Sequence, residues 1–311
     1  MSASYESINY SLRPAKAIER KMLGEAMRCL SVFRELRSYR YIGLGSTYFS
    51  DFQLFHRSLD LVDMVSIERD VGKSQRFEFN KPYDCIRINF KEAKHAIPEE
   101  VLDYLPAIVW LDYDDPLNAD ILADLRATTT LLPAGSMLIY SINAHPTKDP
   151  ETRIDLLRQA LGDDRVPTDI ENKHLSSWGT ASVYRRIAHN EILEALTAKN
   201  APRPMAAKIE YRQIFHFHYA DGAKMLTAGG MLLDTGMTSN FHASGLDRLP
   251  FFRGGSDPYE IRVPSLTYRE IRHLDKALPG TVMPDTLGIP NDDLDMYRRI
   301  YRYFPNFSEV H

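Results

Sequence analysis

The sequence predicts an α/β fold with an open, mostly parallel sheet, a C-terminal antiparallel hairpin, an N-terminal helical cover and a C-terminal appendage. Five short strand-like runs alternate with helical segments between residues 39 and 142, an order typical of parallel sheets with right-handed crossovers. Two longer strand-like runs then flank an Asp-Gly pair, a strong hairpin signal. The chain changes character before and after this region. We therefore place the predicted boundaries at 1–38, 39–237 and 238–311.

The predicted cover is locally basic. The first 40 residues carry eight Lys or Arg against four Glu, although the whole chain has a formal net charge of −4. Apolar residues at helical spacing predict a helix over residues 14–37. Arg13, Lys16 and Arg20 fall together on another face of it. That face is either a solvated side or an anion-binding edge over a ligand cleft.

Bulk properties indicate an ordinary globular protein. Two cysteines form no disulfide framework and suggest a reducing compartment. The first ten residues are too polar for a signal peptide, and no run reaches about 18 apolar residues. We therefore expect a cytoplasmic protein with no membrane partner.

The stretch from Tyr39 to Glu68 is the most informative. A strand-like run, Tyr39–Ile42, leads into Gly43-Leu44-Gly45, and Ser46 and Thr47 follow as N-cap candidates. A helix with one apolar face and a second strand, Met64–Ile67, then end on Glu68. This is the layout of a nucleotide-binding βαβ unit of a Rossmann-like sheet. Glycine lets the backbone approach a ligand closely, and a carboxylate that closes the second strand can accept hydrogen bonds from ribose hydroxyls.

The residue at position 48 helps to distinguish between types of cofactor. A dinucleotide fingerprint has a third glycine there, where this chain has Tyr48. A bulky residue disfavours a pyrophosphate seat, so a nucleotide-dependent oxidoreductase is the weaker hypothesis. A cofactor without phosphate suits the loop better.

The glycine loop and Glu68 resemble the first two motifs of the class I S-adenosylmethionine-dependent methyltransferases. The hairpin after five parallel strands is similar to the way that family closes its sheet, and the resemblance covers roughly residues 38–235. The resemblance implies S-adenosylmethionine as the cofactor. In that family an acid or amide and a packing residue commonly meet the adenine. The cofactor-binding residues implied are Gly43, Gly45, Ser46, Glu68, Asn89, Phe90 and Asp112.

A cluster of acids follows the apolar run Ala107–Leu111. Asp112, Asp114 and Asp115 lie within four positions at the end of a predicted central strand, where an acid can serve as a general base. By resemblance this is the fourth motif of the family, next to the substrate. Asp112 and Asp115 are therefore the predicted catalytic residues. Asp115-Pro116-Leu117 lacks the second proline and the aromatic residue of enzymes that methylate nucleobase amines.

Three other groups leave alternatives open. Asp112 and Asn143 could supply oxygen ligands to Mg²⁺, as in metal-dependent O-methyltransferases. His216 and His218 share one strand face, either as a metal pair or facing solvent or a partner. The aromatic and basic segment 297–307 suits core packing or stacking on single-stranded nucleic acid.

The remaining predicted elements follow from periodicity and turn signals. Predicted helices cover 72–80, 98–105, 118–132, 151–161, 181–199, 267–278 and 292–303, and predicted strands cover 85–89, 137–142, 208–219 and 225–233.

The leading hypothesis is an S-adenosylmethionine-dependent methyltransferase acting on a hydroxyl or amine of an unknown acceptor. The alternative is a catalytically reduced protein of this fold that acts as a scaffold or sensor subunit. Residues 238–311 are the predicted surface for protein partners.

Overall fold

The computed structural model describes residues 13–280 and 288–305. The strands are β1 (Arg40–Leu44), β2 (Asp63–Ile67), β3 (Ile86–Asn89), β4 (Ala107–Pro116), β5 (Met137–Asn143), β6 (Ile209–Asp221), β7 (Ala223–Asp234) and β8 (Tyr259–Ile261). The helices are α1 (Pro14–Arg28), α2 (Ser50–Leu59), α3 (Ser74–Asn80), α4 (Ala93–Glu100), α5 (Ala119–Leu131), α6 (Arg153–Leu161), α7 (Gly179–Asn200), α8 (Thr238–Ser244), α9 (Tyr268–Asp275) and α10 (Asn291–Ile300).

The strands form one sheet in the order β3-β2-β1-β4-β5-β7-β6-β8. The first five pair in parallel, whereas β7 is antiparallel to both β5 and β6. This confirms the predicted α/β fold with its C-terminal hairpin. Since β6 runs in the same direction as β5, its end at Asp221 lies at the edge where β1, β2, β4 and β5 also end. Ligands of such sheets bind beyond this carboxyl edge.

Side chains alternate between two buried faces along each central strand. On β1, Tyr41 packs in one core and Ile42 in the other; on β4, Trp110 and Val109 divide in the same way. Helices α1 and α2 cover the first face, and α4, α5 and α7 cover the second. Each large apolar side chain buried in these layers contributes about 1.5–3 kcal/mol of stability.

Two predicted helices are revised. The helix predicted over 98–105 is α4, which begins at Ala93 and contains Pro98, so the proline is not at its start. Glu100, the last residue of α4, accepts two hydrogen bonds from Arg87 on β3. The helix predicted over 14–37 ends at Arg28 and continues as two short 3₁₀ turns.

The predicted appendage contributes to the sheet itself. β8 pairs in parallel with β6, placing Tyr259 beside Phe217. A small separate cluster contains Leu274, Leu294 and Tyr297, and other residues of the segment pack in the first core. Across residues 13–280 and 288–305, no helix is long and apolar enough to cross a membrane.

Candidate functional site

The predicted glycine bend lies at the centre of the carboxyl edge. The backbone N–H of Gly45 donates to the carbonyl of Ile67 at 3.2 Å, which holds the bend against β2. A Cβ on Gly45 would lie 2.0 Å from Ser66 Oγ and 2.1 Å from Glu68 Oε1. Only glycine therefore fits here, because the two polar side chains of β2 occupy the space above it.

The strand register puts two acids on either side of this bend. Gly43 pairs with Ser66 on β2 and with Trp110 on β4. Continuing both registers by two residues places Gly45 level with Glu68 and Asp112. Neighbouring strands are about 4.8 Å apart, so both carboxylates lie within reach of one ligand seated on the bend.

Glu68 is almost completely buried, with 5% of its surface exposed. Ser66 Oγ donates to its Oε1 at 3.1 Å. Burial raises the pKa of Glu68 to about 8, and the nearby Asp51 adds to this effect. A ligand that donates hydrogen bonds, such as a ribose with its hydroxyl pair, would favour the ionised carboxylate.

The segment after the bend differs from the prediction. Ser46 and Thr47 are not helix N-caps, since α2 begins at Ser50 behind Phe49, whose φ is 46°. Residues 46–49 close a turn in which Ser46 Oγ accepts from the N–H of Tyr48 at 3.3 Å. Tyr48 therefore precedes the helix and does not separate it from β1, so the steric argument drawn from this position was wrong.

A second polar pair lies over Gly43. Tyr41 Oη donates to Asp51 Oδ2 at 2.5 Å, and a Cβ on Gly43 would lie 3.0 Å from the tyrosine oxygen. Burial raises the pKa of Asp51, although its bond to Tyr41 and the charge of Arg20 oppose the rise. No spacing or motif in the sequence predicts this pair.

On the other side of the bend, Asp112 is held by a buried lysine. Lys16 Nζ donates to Asp112 Oδ1 at 2.6 Å and to Tyr219 Oη at 3.1 Å, and pairs with Glu19 Oε2 at 2.9 Å. The side chain of Lys16 is 2% exposed, whereas that of Asp112 is 25% exposed. Burial acts to lower the pKa of Lys16, but the carboxylates of Asp112 and Glu19 outweigh it and the pKa is raised. Lys16 is therefore a fixed positive charge, and the solvated-helix hypothesis for its face is wrong.

Polar side chains extend this network beneath Lys16. Glu19 accepts from Thr227 Oγ1, which is 2.7 Å from Ser141 Oγ. Trp110 Nε1 in turn donates to Ser141 at 2.9 Å. Burial raises the pKa of Glu19, while the ammonium of Lys16 opposes the rise. The network links β4, β5, β7 and α1 through hydrogen bonds and ion pairs.

Helix α1 is fixed over the site by Asp221. The two carboxylate oxygens of Asp221 accept from the backbone N–H of Ala15 at 3.2 Å and of Lys16 at 2.9 Å. These are first-turn N–H groups that lack partners within the helix, and the negative charge complements the helix dipole. The same aspartate precedes the hairpin glycine, Gly222, whose φ is 98°.

The predicted adenine-side residues lie at the end of β3. Asn89 Nδ2 donates to Glu100 Oε1 at 2.8 Å. Phe90 is partly buried, and its ring meets that of Phe77 edge-on at 6.2 Å. Their roles toward the cofactor stay predictions.

The other predicted catalytic acid, Asp115, and the possible Mg²⁺ ligand Asn143 lie on the neighbouring strands β4 and β5. β4 continues to Pro116 after a register shift, which leaves Asp115 exposed. Asn143 Oδ1 accepts from the N–H of His145 at 3.0 Å. In the part of the chain that the structure describes, no group of three or more His, Cys, Asp or Glu is placed to hold a metal ion.

The histidine pair of β6 lies on the opposite face, against α7. His216 and His218 are buried with their Nε2 atoms 3.1 Å apart, and the ring of Trp178 stacks on His218. Burial lowers their pKa values to about 3 and about 4. The expectation that they face solvent or a partner was wrong, because β6 is an internal strand that α7 covers.

The charges around the bend fit a cationic ligand. The acids Glu19, Asp51, Glu68 and Asp112 lie around the bend, near the basic residues Lys16 and Arg20. Burial raises the pKa values of Glu19, Asp51 and Glu68, so the site without a ligand disfavours their ionised forms. A cation seated on the bend would favour the ionised forms. The sulfonium of S-adenosylmethionine is such a cation, and Glu68 has the chemistry needed for its ribose.

The structure resembles Trm1 from Pyrococcus horikoshii in complex with S-adenosyl-L-methionine at 12% identity, covering 70% of this chain and 55% of that one, with a TM-score of 0.47. It also resembles spermidine synthase from Thermotoga maritima at 13% identity, covering 79% and 68%, with a TM-score of 0.41. The chain thus spans only about 55% of the length of the Trm1 chain. No curated protein matches the chain.

The sequence model of one protein family, described as "Putative O-methyltransferase", matches residues 8–311. This match includes the glycine bend, both flanking acids, Lys16 and the hairpin that fixes α1. The scaffold alternative finds no support in it. The chain therefore belongs to this family of S-adenosylmethionine-dependent methyltransferases.

Proposed function

We propose that the protein transfers a methyl group from S-adenosylmethionine to a hydroxyl oxygen of its acceptor, with Asp112 receiving the hydroxyl proton. The observation that carries the proposal is the 2.6 Å pair of Lys16 and Asp112, one strand away from the glycine bend and on the opposite side of it from Glu68. Asp112 is the partly exposed member of the pair, so it can meet an acceptor while Lys16 stays buried.

The chemistry needs a cofactor, an oriented oxygen and a place for one proton. S-adenosylmethionine, held on the bend at Gly45 with Glu68 at its ribose, would supply a methyl group on a positively charged sulfur, and that sulfur would keep the electron pair of the broken carbon–sulfur bond when the acceptor oxygen takes the methyl group. The hydroxyl proton passes to Asp112 and then to solvent. Lys16 holds Oδ1 of Asp112, which leaves Oδ2 to accept the proton.

The fixed charge of Lys16 favours oxygen over nitrogen as the attacking atom. An alkyl amine is a cation at neutral pH, and the buried ammonium near Asp112 repels it. A hydroxyl that loses its proton becomes negative, and the same ammonium stabilises it. The description of the family as O-methyltransferases agrees with this preference.

Two effects can accelerate methyl transfer here, namely alignment of the reactants and general-base catalysis. Alignment of the acceptor with the methyl group can supply on the order of 7–11 kcal/mol. A general base contributes about 10²–10⁴-fold in rate. Positioning therefore comes first, and Asp112 assists it.

The test uses S-adenosylmethionine with a deuterated methyl group and two matched sets of compounds, one of hydroxyls and one of the corresponding amines. Mass spectrometry of the products identifies the acceptor atom. We expect a labelled methyl ether from the hydroxyl set, and a rate reduced at least 100-fold in Asp112→Asn. Label found only in the amine set would refute the oxygen assignment.

A further inference from the structure

A cavity of about 210 Å³ opens beyond the carboxyl edge of the sheet, on the side of α6 and α7. Pro116, four residues after Asp112, is one of the residues that line it. The apolar side chains that line it include Leu117, Leu157, Leu175 and Tyr184. This mostly apolar lining with a few polar groups suits the apolar body of a small ligand.

Two polar side chains of the lining point to a more specific ligand. Thr180 is 3% exposed, and its Oγ1 is buried without a hydrogen-bond partner. A buried hydroxyl that lacks a partner costs free energy, so a ligand oxygen that bonds to it is favoured. Thr180 also lies in the first turn of α7, where the helix dipole favours negative charge.

Arg153 supplies a full positive charge to the same lining. Its Nε donates to the carbonyl of Thr147 at 3.1 Å, which fixes the guanidinium beside the cavity. Among residues 13–280 and 288–305, no carboxylate lies within ion-pair distance of Arg153. Arg158 on the same helix, in contrast, pairs with Asp163. The outer donors of Arg153 therefore match the paired oxygens of a carboxylate.

From these features we infer that the methyl acceptor is a hydroxylated organic acid, whose apolar body fills this cavity and whose carboxylate is bound by Arg153 and Thr180. The inference rests on the proposed function, since it assigns the reacting hydroxyl to Asp112. Asp112 faces α1 on one side of the sheet, whereas the apolar lining of the cavity belongs to the core on the α7 side. An acceptor that reaches both must pass over the carboxyl edge of the sheet, so its hydroxyl and its carboxylate are at opposite ends of an elongated molecule.

The first experiment measures binding without turnover. Protein saturated with S-adenosylhomocysteine is titrated calorimetrically with 3-(4-hydroxyphenyl)propanoate and, separately, with its neutral methyl ester. We expect the acid to bind at least 10-fold more tightly than the ester. Arg153→Gln should weaken the acid about 10–100-fold and leave the ester unchanged, since it removes a charged hydrogen bond. Thr180→Val should weaken the acid about 3–10-fold.

Matched controls separate the cavity from general effects on folding. Arg158→Gln removes a charge from the same helix, and Thr197→Val makes the same exchange at an exposed position of α7. Both should bind the acid as the unmodified protein does. Equal affinity for acid and ester, no binding of the acid, or equal effects of Arg153→Gln and Arg158→Gln would overturn the inference.

A second experiment distinguishes this inference from the proposed function. Transfer of a labelled methyl group to the acid is followed in the same variants. Binding that depends on Arg153, with no transfer to oxygen, would support the cavity and count against the proposed reaction. Transfer to other hydroxyl compounds that does not change in Arg153→Gln would support the reaction and refute the assignment of the cavity.

Discussion

Replacement of Glu68 by glutamine should make the ligand-free protein more stable at neutral pH. Glu68 is 5% exposed, and burial raises its pKa from 4.5 to about 8. The folded state thus keeps a proton that the unfolded state loses, so stability falls as the pH rises from about 4.5 to about 8. Glutamine has the same shape and can still bond to Ser66, but it does not titrate.

The magnitude follows from the difference between the two pKa values. Each unit corresponds to about 1.4 kcal/mol, so at pH 7 the burial of Glu68 costs at most about 3 kcal/mol. We expect Glu68→Gln to raise the free energy of unfolding by about 1–3 kcal/mol at that pH, a shift of a few degrees in melting temperature. The gain should vanish near pH 4.5 and stop growing above pH 8.

Thermal unfolding of both proteins between pH 5 and pH 9, without cofactor, measures this difference. Glu260→Gln, at an exposed position of β8, is the control and should show no such dependence on pH. A difference between Glu68→Gln and the unmodified protein that stays constant from pH 5 to pH 8 would show that Glu68 is not held protonated by burial. The variant should also bind S-adenosylmethionine less tightly, which would mark Glu68 as a residue kept for function at a cost in stability.

Three further predictions concern the bend and its flanking acids. Glu68→Ala should weaken S-adenosylmethionine binding about 10–100-fold in calorimetry, and unchanged affinity would exclude it as the ribose ligand. Asp112→Asn should lower kcat at least 100-fold and change the cofactor affinity only a few-fold. Asp115→Asn, at an exposed position, should change kcat less than about threefold. Equal losses of kcat in the two variants in steady-state assays would contradict the assignment of Asp112 as the base. Gly45→Ala should abolish cofactor binding and lower the melting temperature, because the new methyl group overlaps Ser66 and Glu68; calorimetric affinity equal to that of the unmodified protein would show that both side chains can move aside.

Local sequence patterns were enough to predict the residues of the candidate site that lie at the ends of the parallel strands. Gly45, Glu68 and Asp112 each follow a recognisable strand, and the parallel register then places them side by side. The start of α2 could not be predicted in this way. Phe49 has a left-handed backbone conformation, which is uncommon for a bulky residue and which no sequence pattern here predicts.

The other side of the site depends on contacts distant in sequence. Lys16 meets Asp112 across 96 positions and Tyr219 across 203 positions. No periodicity or spacing reports such a contact, and a basic residue on a helix face is usually solvated. Pro14 at the first helical position is consistent with the start of α1. It does not predict which residue accepts hydrogen bonds from the first N–H groups of the helix.

The tie between Asp221 and the start of α1 has a consequence for how the enzyme is made. During synthesis α1 leaves the ribosome before the hairpin that anchors it, which lies about two hundred residues later in the chain. Until the hairpin forms, the first N–H groups of α1 lack the carboxylate of Asp221. A nascent or prematurely terminated chain without the hairpin therefore contains the glycine bend and Glu68 but lacks the anchor that holds Lys16 beside Asp112.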